Sequence, residues 1–331
     1  MTAPGEVDLV ERATPVVRAG EVLVRPVANG LCGTDLELID GTVDAAYVRY
    51  PLTLGHEWVG RRDAGTSGEW VDGDLVVVEG IVPDLTCVEC RRGATNRCLV
   101  YDEIGFTRPG ALADRIAVPA HLVHVLADGV NPLDAALVEP MAVVWRALSR
   151  ARPAPGARCL VVGDGTVALL AAHLLGRFEP ARVTMLGLRA VQEDLARAAG
   201  ADEFLTTPPG ESYDLVVEAA GQRPAVERAL ASVARGGTVV LLGLPPHGTR
   251  VEISPDDLVN NDVTIQASFS YDRAAWSEVV GLVNEGSVRP SFLVTHRFEF
   301  AEWRAAIETL RGSDPQHPRG KVMVTIGPDV L

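Results

Sequence analysis

The chain has 331 residues, 47% of them hydrophobic and 22% charged, an ordinary globular composition long enough for two domains. A formal net charge of −14 argues against a nucleic-acid or anionic-membrane partner, and the apolar runs are far shorter than a membrane span. No basic-then-apolar leader opens the sequence, and three of the five cysteines cluster, so the expectation is a cytoplasmic chain that uses thiols for metal rather than disulfides.

Alternating apolar and polar residues predict short strands at 6–10, 21–26, 74–78 and 111–119. Beyond about residue 125 the pattern changes to alternating strands and helices, so two dissimilar domains are expected. The first part holds three groups of metal-competent residues: Cys32-Gly33-Thr34-Asp35, Gly55-His56-Glu57, and Glu139 followed by Pro140. A thiolate, an imidazole and a carboxylate brought together by folding would leave one position on tetrahedral zinc for water or substrate. Taken singly, each has a plainer reading: a small core cysteine, a core or surface histidine, a helix-start acid.

At 158–162 an apolar run reads as a strand buried on both faces. Gly163-Asp164-Gly165 follows at once, and then an Ala/Leu-rich helix beginning at Thr166 and Val167. Gly163, Gly165 and Ala168 stand in G-x-G-x-x-A spacing, in which glycines let backbone approach a pyrophosphate and the helix N-terminus offers it free N–H groups. A second strand is expected at 181–186. The acid that would bind the ribose 2′-hydroxyl of NAD is missing from its tip, where Gly187-Leu188-Arg189 stands instead. Gly187 would tolerate a 2′-phosphate and Arg189 would pair it, which favours NADP(H).

Further strands are predicted at 213–221 and 237–243, with a helix at 224–233 between them. Gly221 and Gly243 end these strands where ligands of open parallel sheets bind, so both are candidate cofactor neighbours as well as simple turn glycines. Residues 263–269 alternate like an edge strand, followed by a helix at 274–284. A strand at 292–298, a helix at 301–310 and a strand at 319–324 close the chain, with Arg319 and the region of Lys321 guessed to lie near the cofactor. His121, His124, His173, His247, His296 and His317 lack metal-spaced partners, and Cys159 falls inside a core strand.

In order and rough spacing, Cys32-Gly33-Thr34-Asp35, Gly55-His56-Glu57, Glu139-Pro140 and Gly163-x-Gly165 resemble the zinc-dependent medium-chain dehydrogenases/reductases over nearly the whole chain. Glu139-Pro140 stands where classical alcohol dehydrogenases carry a cysteine ligand, so the likeness is to the polyol, threonine and glucose dehydrogenase branch. The resemblance implies an α/β protein with a GroES-like, mostly-β catalytic domain at 1–142, a doubly wound Rossmann domain at 143–284, and a return to the catalytic domain at 285–331. It implies a catalytic zinc on Cys32 and His56, with Glu57 or Glu139 third and water or the other glutamate fourth. Thr34 matches the hydroxyl that relays the substrate proton, and Asp35 the carboxylate that orients the zinc-bound histidine.

The family's structural zinc lobe carries cysteines spaced C-x2-C-x2-C-x7-C. Its last three fall on Cys87, Cys90 and Cys98 and its first on Asp84, whose oxygen is an acceptable zinc ligand. Two departures, a shorter N-terminus and a short loop at 63–69, touch no proposed ligand. The implied activity is reversible oxidation of a secondary alcohol of polyol, sugar or cyclitol type to its ketone with NADP(H). The resemblance also implies a homodimer or homotetramer paired through strand 263–269. Two rivals are a zinc-independent enone or quinone reductase of the same architecture and a non-catalytic NADPH-binding protein.

Overall fold

The computed structural model describes residues 1–63, 73–312 and 316–327, so most of the loop at 63–69 lies outside the described residues. The chain divides into two units. The first comprises Met1–Glu139, Tyr271–Ser313 and Lys321–Leu331, and the second Pro140–Ser270 and Asp314–Gly320.

The first unit is built on a seven-stranded sheet. Its strands are β1 (Glu21–Leu31), β2 (Glu57–Arg62), β3 (Leu75–Val78), β4 (Ile116–Pro119), β5 (Val123–Val125) and, from the end of the chain, β12 (Val294–Glu299) and β13 (Lys321–Thr325). The order is β12-β13-β1-β2-β3-β5, with β4 also pairing β1. Val22, Val24, Trp58, Val76, Val78, Ile116 and Val118 form its core, the inward set of an alternating pattern.

Two strand expectations for this unit are corrected. Residues 6–10 form no strand: Leu9 and Val10 are exposed and no sheet edge pairs with them. The stretch 111–119 is a strand only from Ile116, because the N–H groups of Ala111 and Leu112 are spent on the carbonyls of Gly55 and Leu54. That loan holds the loop just before His56.

Tyr271 returns the chain to the first unit, fourteen residues ahead of the expected 285. Its hydroxyl accepts the Gly80 N–H at 2.8 Å, and its ring packs at a tilt, centroids 4.8 Å apart, against buried Trp276 of the helix Arg273–Asn284. Arg273 reaches Glu79 at 3.0 Å. The helix Arg273–Asn284 therefore belongs with the first unit.

The second unit is a six-stranded parallel sheet of β6 (Arg158–Val162), β7 (Arg182–Leu186), β8 (Glu203–Leu205), β9 (Tyr213–Glu218), β10 (Val233–Leu241) and β11 (Thr264–Ala267). Its order, β11-β10-β9-β6-β7-β8, reverses direction at β6 and is that of a doubly wound fold. Cys159, Leu160, Val161, Val216, Val217, Val239 and Val240 are buried, as continuous apolar runs in a sheet covered on both faces require. Among the described residues no helix is long and apolar enough to cross a membrane.

Candidate active site

Three adjacent strands of the first unit deliver the metal-competent residues. β1 ends at Leu31, and Cys32 caps the helix Gly33–Asp40. Gly30 lies opposite Glu57 of β2 on one side and Met323 of β13 on the other. The register therefore sets Cys32, His56, Glu57 and Lys321 together although they span most of the chain. Gly30 must lack a side chain here, since a Cβ would stand 2.6 Å from Glu57 Oε2 and 3.1 Å from Lys321 Cδ.

Ligand atoms of Cys32, His56 and Glu57 all lie within 4.8 Å of one another. Asp35, in the first turn of the capped helix, accepts the Cys32 N–H at 2.8 Å with one oxygen. Its other oxygen lies 3.5 Å from His56 Nδ1. Both of those facing atoms are buried, and neither has a hydrogen-bond partner among the described residues. Burial pushes the His56 pKa down, but Asp35 and the Cys32 sulfur outweigh it and hold the pKa well above the ordinary value. Thr34 Oγ1 lies 3.8 Å from Cys32 Sγ.

Glu139 sits in the first turn of the helix Val138–Ala151. Burial first, then the Glu57 carboxylate, pushes its pKa up to about 8. A third carboxylate, Glu103, is buried nearby, accepts the Tyr101 hydroxyl, and is likewise raised by burial. Lys321, buried with Glu57, donates to that carboxylate and to the Leu31 carbonyl at 3.2 Å. Soft sulfur, imidazole and oxygen donors surrounded by excess buried negative charge suit a zinc ion, which would relieve the carboxylate repulsion.

Asp84, Cys87, Cys90 and Cys98 form a second cluster, again with ligand atoms within 4.8 Å of one another. Asp84 takes the place of a thiolate without losing local order: Oδ1 accepts the N–H groups of Thr86 at 2.9 Å and Cys87 at 3.0 Å. Those two donors hold its pKa well below the usual carboxylate range. The N–H groups of Leu99 and Cys90 lower the Cys87 thiol in the same way.

In the second unit Gly163 follows β6 at a φ of +132°, and a Cβ there would press on Ala168 and the backbone of residues 219 and 220. Gly165 opens the helix Thr166–Leu175 with no side-chain cap, and a Cβ there would meet nothing within 4 Å. That open space before uncapped N–H groups is what a pyrophosphate needs. Thr166 turns its hydroxyl to the Gly320 carbonyl at 2.9 Å, and Val167 is the next residue of the first turn. Gly221 and Gly243 pack against one another beyond β9 and β10, where a Cβ on Gly243 would stand 2.2 Å from the Gly221 nitrogen.

Arg189 does stand at the tip of β7, but with a partner that spacing does not reveal. Asp164, from the glycine turn, pairs with it at 2.9 Å. Gln192, whose partners Asp164 and Arg319 are distant in sequence, carries no motif signal, and neither do Tyr101 and Glu103, which pair with each other locally. Lys321 belongs to the Glu57 cluster of the first unit, while its neighbours Gly320 and Arg319 lie in the second, against Thr166 and Gln192.

Residues 18–128 match the alcohol dehydrogenase GroES-like domain and residues 163–285 the zinc-binding dehydrogenase domain. The chain is 31% identical to D-altritol 5-dehydrogenase of Agrobacterium fabrum over 94% of both chains. It is 28% identical to D-arabinitol dehydrogenase 1 of Uromyces fabae over 93% of this chain and 91% of that protein. The structure of galactitol-1-phosphate dehydrogenase from Escherichia coli superposes with a TM-score of 0.87 at 26% identity, covering 98% of each chain. The chain belongs to the zinc-type medium-chain dehydrogenase/reductase family, polyol branch. Its first unit is the GroES-like domain and its second the Rossmann domain, and it is an oxidoreductase that interconverts alcohols and ketones.

Proposed function

We propose that this enzyme oxidises a secondary hydroxyl of a polyol, sugar or cyclitol to the ketone, and reduces it back, with zinc and NADP(H). The observation that carries the reading is the cluster of Cys32, His56 and Glu57 with Asp35 behind the imidazole. Cys32 and His56 would hold the ion, and Glu57 and Glu139 are the carboxylates available for the remaining positions. Zinc bound there supplies Lewis acidity that lowers the pKa of an alcohol oxygen. Thr34, next to Cys32, takes the released proton toward solvent. Asp35 keeps the imidazole in one orientation through Nδ1. Asp84, Cys87, Cys90 and Cys98 would hold a second zinc that fixes the lobe at 84–98 and takes no part in the chemistry.

On the cofactor side, Gly163, Gly165, Thr166 and Val167 would take the pyrophosphate and Arg189 the 2′-phosphate, with Gly187, Gly221 and Gly243 allowing close approach. The substrate class follows the names of the relatives, which act on altritol and arabinitol. Strand β11 closes one side of its sheet with Ile265 and Phe269 exposed, which supports a homo-oligomer paired along that edge. The clustered thiols, used for metal rather than disulfides, support a cytoplasmic setting.

A spectrophotometric screen at the nicotinamide absorbance tests the reading, pairing NADP and NAD with polyols, sugars, cyclitols, threonine and simple alcohols before and after chelation. Chelator-sensitive turnover of a polyhydroxylated substrate is expected. Turnover that survives complete zinc removal, or reduction of enones in place of alcohol oxidation, would sink it.

A further inference from the structure

A carboxylate does reach the tip of β7, delivered by the glycine turn rather than by the strand. Asp164 Oδ2 accepts the N–H groups of Leu188 at 3.0 Å and Arg189 at 3.1 Å. Its other oxygen accepts from Arg189 Nη2 at 2.9 Å. Gly187 permits this approach, since a Cβ there would stand 2.7 Å from Asp164 Cβ and 2.6 Å from the Phe204 ring. Leu188 turns outward, 92% exposed.

The arrangement is braced from behind. Gln192, fully buried, donates to the Asp164 carbonyl at 2.5 Å and to the Arg319 carbonyl at 3.0 Å, and accepts the Arg319 N–H at 2.7 Å. Arg319 is thereby held close enough that burial and then the Arg189 charge lower its pKa. Gln192 thus ties the backbone of Arg319 to that of Asp164. Two backbone N–H groups and a guanidinium converging on an anion are what a phosphate oxygen would otherwise find there. Asp164 already occupies them.

We propose that Asp164 is a specificity-determining residue that opposes the adenosine 2′-phosphate, both by its own charge and by competing for Arg189. A bare 2′-hydroxyl meets a hydrogen-bond acceptor at the same place. The chain therefore uses NADP(H) less selectively than Arg189 alone would dictate. The inference rests on the reading that Arg189 faces the adenosine ribose.

The test is equilibrium binding of adenosine 2′,5′-bisphosphate and of AMP to the intact protein by calorimetry, with kcat/KM for NADP and NAD alongside. Asp164→Asn keeps an acceptor for the two N–H groups and removes the charge. It should tighten the bisphosphate roughly tenfold, the scale of one partly screened like-charge pair, and leave AMP within about twofold. The NADP-to-NAD ratio of kcat/KM should rise with it, and Asp164→Glu, which restores the charge, should return both ratios toward the starting value. If Asp164→Asn does not fold, Asp164→Ser carries the same expectation. An unchanged bisphosphate-to-AMP ratio, or a shift toward AMP, overturns the proposal. Arg189→Ala is read separately: if it leaves that ratio unchanged, the 2′-phosphate role of Arg189 fails, whatever Asp164→Asn does.

Discussion

Lys321 and Glu57 form an ion pair inside the first unit, each side chain only 2% exposed, across 264 residues of sequence. Burial lowers the Lys321 pKa, but Glu57 and the Cys32 sulfur outweigh it and the net shift is upward. The pair ties β13 to β2 over Gly30 of β1 and fixes one oxygen of a candidate zinc ligand. Lys321→Met leaves the Glu57 charge buried alone and should cost about 3–5 kcal/mol of stability. Urea unfolding of metal-free protein measures this, and Lys321→Met with Glu57→Gln should recover most of the loss. A cost below about 1 kcal/mol, in the range of an exposed pair, would contradict the assigned role.

Asp84 in place of a fourth thiolate makes a concrete expectation for metal content. The chain should bind two zinc ions, and Asp84→Ala should lose the one held by Cys87, Cys90 and Cys98 first under chelator competition. Alcohol oxidation should persist in that variant, with a lowered melting temperature. Elemental analysis of the variant decides it: two ions retained as firmly as before would mean that Asp84 is no ligand.

Glu218 ends β9 fully buried, with Oε1 accepting the N–H groups of Ala220 at 2.9 Å and Gly221 at 2.8 Å while Oε2 has no hydrogen-bond partner among the described residues. Burial raises its pKa despite those donors. An acid whose folded pKa is raised binds its proton more tightly when folded, so its charge begins to cost stability as pH rises past the unfolded value. The stability of Glu218→Gln relative to the parent should therefore climb from about pH 4.5 toward neutrality. Paired urea titrations at several pH values test this; a difference independent of pH, or one that falls, would contradict it.

The strand–glycine–helix of 158–175 was legible because its signals are local: apolar run, turn glycines and helix formers follow one another within a few residues. Cys32, His56 and Glu57 were legible as residue types, but only the register of Gly30 with Glu57 shows why they meet. Asp164 is visible in the glycine turn, but nothing in spacing says that its side chain bends back to Leu188 and Arg189. The Lys321–Glu57 pair was not legible for a related reason, its two members lying on strands at opposite ends of the chain. Residues 6–10 alternate as a strand does, yet alternation without a neighbouring edge to pair with makes no strand.

Cys32 and His56 are assigned to the ion on which alcohol oxidation depends. Cys32→Ser, analysed for zinc content, NADPH affinity and turnover in one preparation, tests the assignment most directly. Loss of one zinc ion is expected, with NADPH binding within about twofold of the parent and a fall in kcat of at least about 10³-fold, the weight of removing a Lewis acid worth several kcal/mol. Near-normal turnover by protein that has lost that zinc would contradict it.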